Sequence, residues 1–177
     1  MSQVYVAIGS NIEPERNIAR AAAELERLFP GAQFSSWYRN RAVGFDGDDF
    51  VNGVVGFTTE LPLRAVIERL HAVEELCGRP RNAPRWAPRA MDLDVLLFDD
   101  LVCSEPSLPR PDLLKRPYML GPLAEIAPQT MHPTAGLTIG ELWQRFDRDS
   151  HAMTRIESAV LTNPPRSDRR PPPGSGR

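Results

Sequence analysis

Apolar residues crowd together at the start of the chain: Val4–Ile8 is a short apolar run closed by Gly9, the pattern of a buried strand. Pro14 suits the first turn of a helix, and Ile18, Ala22, Leu25 and Phe29 then recur along one face until Gly31 ends it. Phe34–Tyr38 predicts a second strand, and Phe50–Thr59, rich in Val, Phe and Thr, a third. Between them the polar, Gly/Asp-rich stretch Asn40–Asp49 reads as a mobile surface loop. Pro62 opens a second helix with the stripe Leu63, Val66, Ile67, Leu70, Val73 and Cys77, which Gly78 stops. After a Pro/Arg-rich loop, Arg79–Arg89, the run Leu93–Phe98 is apolar on both faces and predicts a central strand. Prolines punctuate the chain beyond Phe98, with short helices near Leu113–Leu123 and Ile139–Arg145.

The series β-α-β-β-α-β predicts an α+β fold, a ferredoxin-like sandwich in which helices pack on an antiparallel sheet. The folded domain is expected over residues 1–161. The tail 162–177, TNPPRSDRRPPPGSGR, has almost nothing to bury and is expected to be disordered. No internal repeat is present.

Composition removes several classes of function. At 177 residues, 41% hydrophobic and 25% charged, the chain suits one domain with a core of its own. A formal net charge of −2 gives no overall attraction to a nucleic-acid backbone or a membrane surface. The two cysteines, Cys77 and Cys103, make neither a disulfide framework nor a zinc site. No basic segment precedes a long apolar run, and no stretch approaches the roughly 18 apolar residues of a membrane span. A cytoplasmic monomer is expected.

The chemistry concentrates around one strand start. Asp92 and Asp94 are two apart, so on a strand they face the same way, about 6–7 Å from each other. Carboxylates so placed can hold a pair of Mg²⁺ ions, or form a polar strand end bridged to nearby arginines. Arg79, Arg81, Arg85 and Arg89 lie within eleven residues, with Trp86 among them. Guanidiniums so dense repel one another unless anions lie between them, and arginine is suited to bidentate phosphate binding. Together loop and carboxylates point to phosphoryl transfer, with a solvated basic loop or an RNA patch as alternatives. Glu74 falls inside the second helix's apolar stripe, where a carboxylate is either paired or functional. Gly9-Ser10-Asn11 lacks the spacing of a P-loop, and the chain's single lysine, Lys115, is remote, so arginine must hold any nucleotide. His71, His132 and His151 share no ligand spacing, although His71 lies one turn before Glu74 and can reach a nucleotide.

Four blocks in order, VYVAIGSNIEPERNI, FVNGVVGFTTELPL, AVEELCGRPRNAPRWAPRAMDLDVLLF and PRPDLLKRPYMLGPLAEIAP, resemble the 6-hydroxymethyl-7,8-dihydropterin pyrophosphokinase family over roughly residues 3–145. The resemblance implies transfer of diphosphate from Mg·ATP to a pterin alcohol, the start of folate synthesis. It implies that Asp92 and Asp94 bind two Mg²⁺ ions, Asp92 also touching the pterin hydroxymethyl oxygen. Arg79 and Arg89 would stabilise the transferring group, with Arg81 and Trp86 closing over the substrates and Arg85, Arg110 and Arg116 on phosphates. His71 and Glu74 would lie on the ribose side. Phe50 and Tyr118 would sandwich the pterin ring, Asn52 would bond its edge, and Gly9, Ala42 and Val43 would complete that pocket. Both loops, Asn40–Asp49 and Arg79–Arg89, are expected to order over the substrates and exclude water.

The sequence departs from the family pattern in three places. Arg110 stands where a histidine is usual, and an arginine cannot titrate near neutral pH. Asn82 replaces a lysine, and the loop from Asn40 is short, beginning Asn40-Arg41 rather than Thr-Pro. Rival readings are a non-catalytic pterin- or nucleotide-binding relative, a kinase for another heteroaromatic alcohol, and a small RNA-binding domain.

Overall fold

The computed structural model describes residues 1–41, 47–78, 90–150 and 152–157. Strand β1 (Ser2–Ser10) leads to helix α1 (Pro14–Leu28), the short strands β2 (Gln33–Phe34) and β3 (Trp37–Asn40), and the long strand β4 (Phe50–Thr59). Helix α2 (Leu63–Leu76) precedes β5 (Asp92–Phe98), the small hairpin β6 (Cys103–Ser104) and β7 (Ser107–Leu108), and a 3₁₀ turn at Pro111–Leu114. Helices α3 (Pro117–Ile126) and α4 (Ile139–Arg145) and strand β8 (Thr154–Ile156) complete the series. Among the described residues one antiparallel sheet runs in the order β5-β1-β4-β3-β8, with β2 also paired to β4. The fold is therefore α+β.

Strand periodicity builds two cores, one on each face of the sheet. Val4, Val6 and Ile8 of β1, Val51, Val55 and Phe57 of β4, and Leu93 and Val95 of β5 face α1 and α2, meeting Ile18, Ala21 and Leu25 of the first and Val66, Leu70 and Val73 of the second. Ala7, Val54, Leu96 and Leu97 face the other way, onto Leu113 of the 3₁₀ turn, Met119, Leu120 and Leu123 of α3, and Ile139 of α4. Each such aliphatic side chain contributes roughly 1.5–3 kcal/mol of burial. Adjacent Leu96 and Leu97 share a core because β5 carries an extra residue there: Tyr5 pairs with Leu97 but Val6 with Val95. That bulge resets the alternation, so Phe98 turns back to the first core. Gly78, at φ 90°, ends α2 in a backbone region that disfavours a side chain.

Helices pack on an antiparallel sheet, as expected, and they cover both of its faces, because α3 and α4 fold onto the side left open by α1 and α2. Several other expectations are corrected. Among the described residues strand β5 lies at the sheet edge, pairing β1 alone; it is apolar on both faces because helices bury both, which a pattern of faces cannot tell from a central position. The predicted second strand breaks at Ser35, whose hydroxyl accepts the Val54 N–H at 2.9 Å while its own N–H donates to the Val54 carbonyl at 2.8 Å. Ala21, not Ala22, supplies the buried face of α1. Asn40 belongs to β3 and is buried, not part of a loop.

The expectations for residues 42–46 of the first loop, for Arg79–Arg89 and for the tail 162–177 lie outside the described residues. No described helix is long and apolar enough to cross a membrane.

Candidate active site

Sheet register sets the floor of the site. Gly9 pairs with Asn52 on one side and Asp92 on the other, and Ala7 pairs with Val54 and Asp94, so both carboxylates share the sheet face that carries α3. Their spacing of two residues, N-terminal to the bulge, is what keeps them on one face. Above this floor lies a cavity of about 680 Å³. Arg110, Asp112, Arg116 and Tyr118, from the 3₁₀ turn and the start of α3, form one wall; Asn40 and Phe50 form the other. Pro117 occupies the first turn of α3, where its fixed φ suits helix initiation, and so places Arg116 and Tyr118 on either side of it.

Charge in the cavity is paired across its wall. Arg110 Nη2 lies 3.4 Å from Asp94 Oδ2, and its Nε lies 4.0 Å from Asp112 Oδ2. The Tyr118 hydroxyl has its pKa raised, first by burial; Arg116 opposes the rise, while Asp112, Asp92 and Asp94 add to it. One phenol thus senses both charged groups of the site.

A pair of amides stands opposite. Asn52 Nδ2 donates to Asn40 Oδ1, and Asn40 Nδ2 donates to the Arg41 carbonyl at 3.1 Å. This fixes which end of the Asn52 amide points where. Its Oδ1 lies over Gly9, where a Cβ would come within 2.8 Å of it. Glycine is required there so that the amide can lie across the strand.

Of the residues singled out in the sequence, the cavity brings together Gly9, Phe50, Asn52, Asp92, Asp94, Arg110, Arg116 and Tyr118. It does not include His71, which is exposed on α2, or Glu74. Glu74 is buried on the opposite face and accepts the Leu93 N–H at 2.8 Å. Ala42, Val43, Arg79, Arg81, Arg85, Trp86 and Arg89 lie outside the described residues. The Ser10 hydroxyl donates to the Ala90 carbonyl at 2.6 Å, so the residue after Arg89 is tied to the end of β1, beside Gly9. Gly9 and Ser10 thus close β1 rather than form a phosphate loop, and the Ser10 hydroxyl is a structural tie. Sequence reasoning missed Asn40 and Asp112. The alternation of β3, continued past Tyr38, places Asn40 on the Asn52 face, and Asp112 lies two residues from Arg110.

Over residues 5–128 the chain matches the profile of the 7,8-dihydro-6-hydroxymethylpterin-pyrophosphokinase family. The chain belongs to this family. It is 38% identical over 148 residues to the 2-amino-4-hydroxy-6-hydroxymethyldihydropteridine pyrophosphokinase of Synechocystis sp., covering 80% of this chain and 75% of that one. It is likewise 38% identical over 140 residues to the Pseudomonas aeruginosa enzyme of the same name, covering 75% and 85%. In fold it is similar to the crystal structure of wild-type Plasmodium falciparum HPPK-DHPS, with a TM-score of 0.62 at 12% identity, over 81% of this chain and 44% of that one. As a pyrophosphokinase, the protein is a transferase of folate biosynthesis.

Proposed function

We propose that the cavity binds Mg·ATP beside 6-hydroxymethyl-7,8-dihydropterin and moves the terminal diphosphate of the nucleotide onto the hydroxymethyl oxygen, releasing AMP. The observation that carries this reading is the convergence of Asp92 and Asp94 with Arg110 and Arg116 in the cavity that Phe50, Asn52 and Tyr118 also line. An acidic pair facing guanidiniums matches a polyphosphate with its cations, and aromatic rings beside an oriented amide match a flat heterocycle with polar edges.

The hydroxymethyl oxygen attacks the β-phosphorus, the bond from that phosphorus to the α,β-bridging oxygen breaks, and AMP departs with the electron pair. Asp92 is assigned to the hydroxyl, next to the proton it loses. Arg110 and Arg116 grip phosphate oxygens, while Phe50 and Tyr118 hold the ring and Asn52 reads its edge. Catalysis is mostly positioning and charge neutralisation. Asp92 and Asp94 offer hard oxygen donors, and among the described residues no cluster of three or more His, Cys, Asp or Glu forms a closed cage. That donor set fits Mg²⁺, which is bound by one or two carboxylates plus substrate phosphates and neutralises charge on the transferring group; two ions are assigned here.

In the same reading Arg79 and Arg89 stabilise the transferring diphosphate, Arg81 and Trp86 close over the two substrates, Arg85 binds the nucleotide, and the backbone at Ala42 and Val43 completes the pterin pocket. His71 is assigned to the ribose side, while Glu74, buried and bonded to the Leu93 N–H, serves that side only by anchoring β5. The sheet order β5-β1-β4-β3 supports a ferredoxin-like core to which β8, α3 and α4 are added. The free thiols of Cys77 and Cys103 suit the cytoplasm.

Chromatography of the products tests the reading. AMP should appear in equal amount with the pterin diphosphate and only when both substrates are present; ADP as the nucleotide product would refute it.

A further inference from the structure

The Arg110–Asp94 pair has a consequence for how a cation reaches the site. The two side chains are 30% and 24% exposed, so solvent screens them less than a surface pair. The backbone N–H of Arg110 donates to the Leu96 carbonyl at 3.0 Å, pinning the base of this side chain to the same strand that carries Asp94. The guanidinium itself is loosely held: its Nε, 4.0 Å from Asp112 Oδ2, is buried with no hydrogen-bond partner among the described residues. A planar fork with an unused buried donor, facing a cavity, is poised for a better acceptor than the one it holds.

We propose that Arg110 is a resident counter-ion of Asp94, which it releases only when a polyphosphate takes the guanidinium, so that the divalent cation and the nucleotide enter together. This rests on the reading of Asp92 and Asp94 as cation ligands. A guanidinium keeps its charge at every physiological pH, so while it sits at Asp94 it both repels a divalent cation and covers one carboxylate oxygen. Phosphate oxygens offer it bidentate contacts and a fuller charge than one carboxylate. Its transfer to them takes that positive charge away from Asp94 Oδ2 as the cation arrives. Nucleotide and cation therefore bind with positive coupling, and each raises the affinity for the other by the same factor.

The test titrates Mn²⁺, read by electron paramagnetic resonance of the free ion, into nucleotide-free wild type, Arg110→Gln, Arg110→Lys and Asp94→Asn. Arg110→Gln should bind Mn²⁺ roughly tenfold more tightly than wild type, within the usual range of such couplings. Arg110→Lys keeps the positive charge and should stay near wild type, and Asp94→Asn should bind more weakly than Arg110→Gln. A parallel series with a non-hydrolysable ATP analogue, read by water-proton relaxation, should bring wild type and Arg110→Gln together. Unchanged or weaker binding by nucleotide-free Arg110→Gln, with normal Mn²⁺ uptake by analogue-loaded wild type, overturns the role of Arg110 alone. Equal Mn²⁺ uptake by analogue-loaded wild type, Asp92→Asn and Asp94→Asn overturns the cation-ligand reading, and this inference with it.

Discussion

Glu74 Oε1 accepts the backbone N–H of Leu93 at 2.8 Å, so a carboxylate from α2 grips the residue between Asp92 and Asp94. Strand β5 is a sheet edge, and an edge N–H buried without an acceptor is costly. Glu74 meets that need and fixes the strand start on which both site carboxylates stand. Glu74→Ala should lower stability by about 1–3 kcal/mol, the usual cost of an orphaned buried donor. It should also raise the KM for Mg·ATP, while Glu74→Gln, which keeps an acceptor, restores most of both. Urea midpoints and steady-state kinetics of the two variants check this; equal loss in both would mean that charge, not the hydrogen bond, matters at this position.

Asn52 is held by Asn40 and lies over Gly9, where an added Cβ would come within 2.8 Å of its Oδ1. The amide cannot turn aside without breaking its bond to Asn40. Gly9→Ala should therefore raise the KM for the pterin roughly tenfold or more, since a mis-set polar group rejects the ligand it was built to bond. The KM for ATP should move little. Asn40→Leu should show the same split, and a parallel rise in both constants would point to general disruption instead.

His132 Nδ1 accepts the N–H groups of Thr134 and Ala135, at 3.2 and 3.1 Å, which requires the neutral ring. Burial lowers its pKa below the ordinary 6.5. The unfolded chain therefore takes up this proton first, and stability present above about pH 6.5 is lost as pH falls toward the folded-state value. Urea midpoints measured from pH 8 to pH 5 should decline in that window. His132→Gln should be less stable at pH 8 and show a shallower decline; an unchanged slope would exclude His132 as its source.

The sequence made some of this legible because periodicity reports faces. A spacing of two placed Asp92 and Asp94 together, and helical spacing placed Glu74 inward with Val73 and Leu70. Periodicity does not report neighbours, so β5 read as central when it is an edge buried by helices on both sides. Nor does it report contacts across turns. Arg110 meets Asp94 only because the chain doubles back through the β6–β7 hairpin, and Asn40 meets Asn52 only across two paired strands. The break at Ser35 depends on one hydroxyl replacing a backbone group, which no pattern of apolar positions encodes.

The central claim is that the Asp92 and Asp94 carboxylates neutralise and place the transferring diphosphate. The most direct measurement is single-turnover AMP formation by Asp92→Asn and Asp94→Asn, with unfolding midpoints confirming that each variant is folded. Losing several kcal/mol of charge stabilisation should slow each by on the order of 10³-fold. A folded variant that forms AMP within about threefold of wild type, a difference of under 1 kcal/mol, would contradict the account.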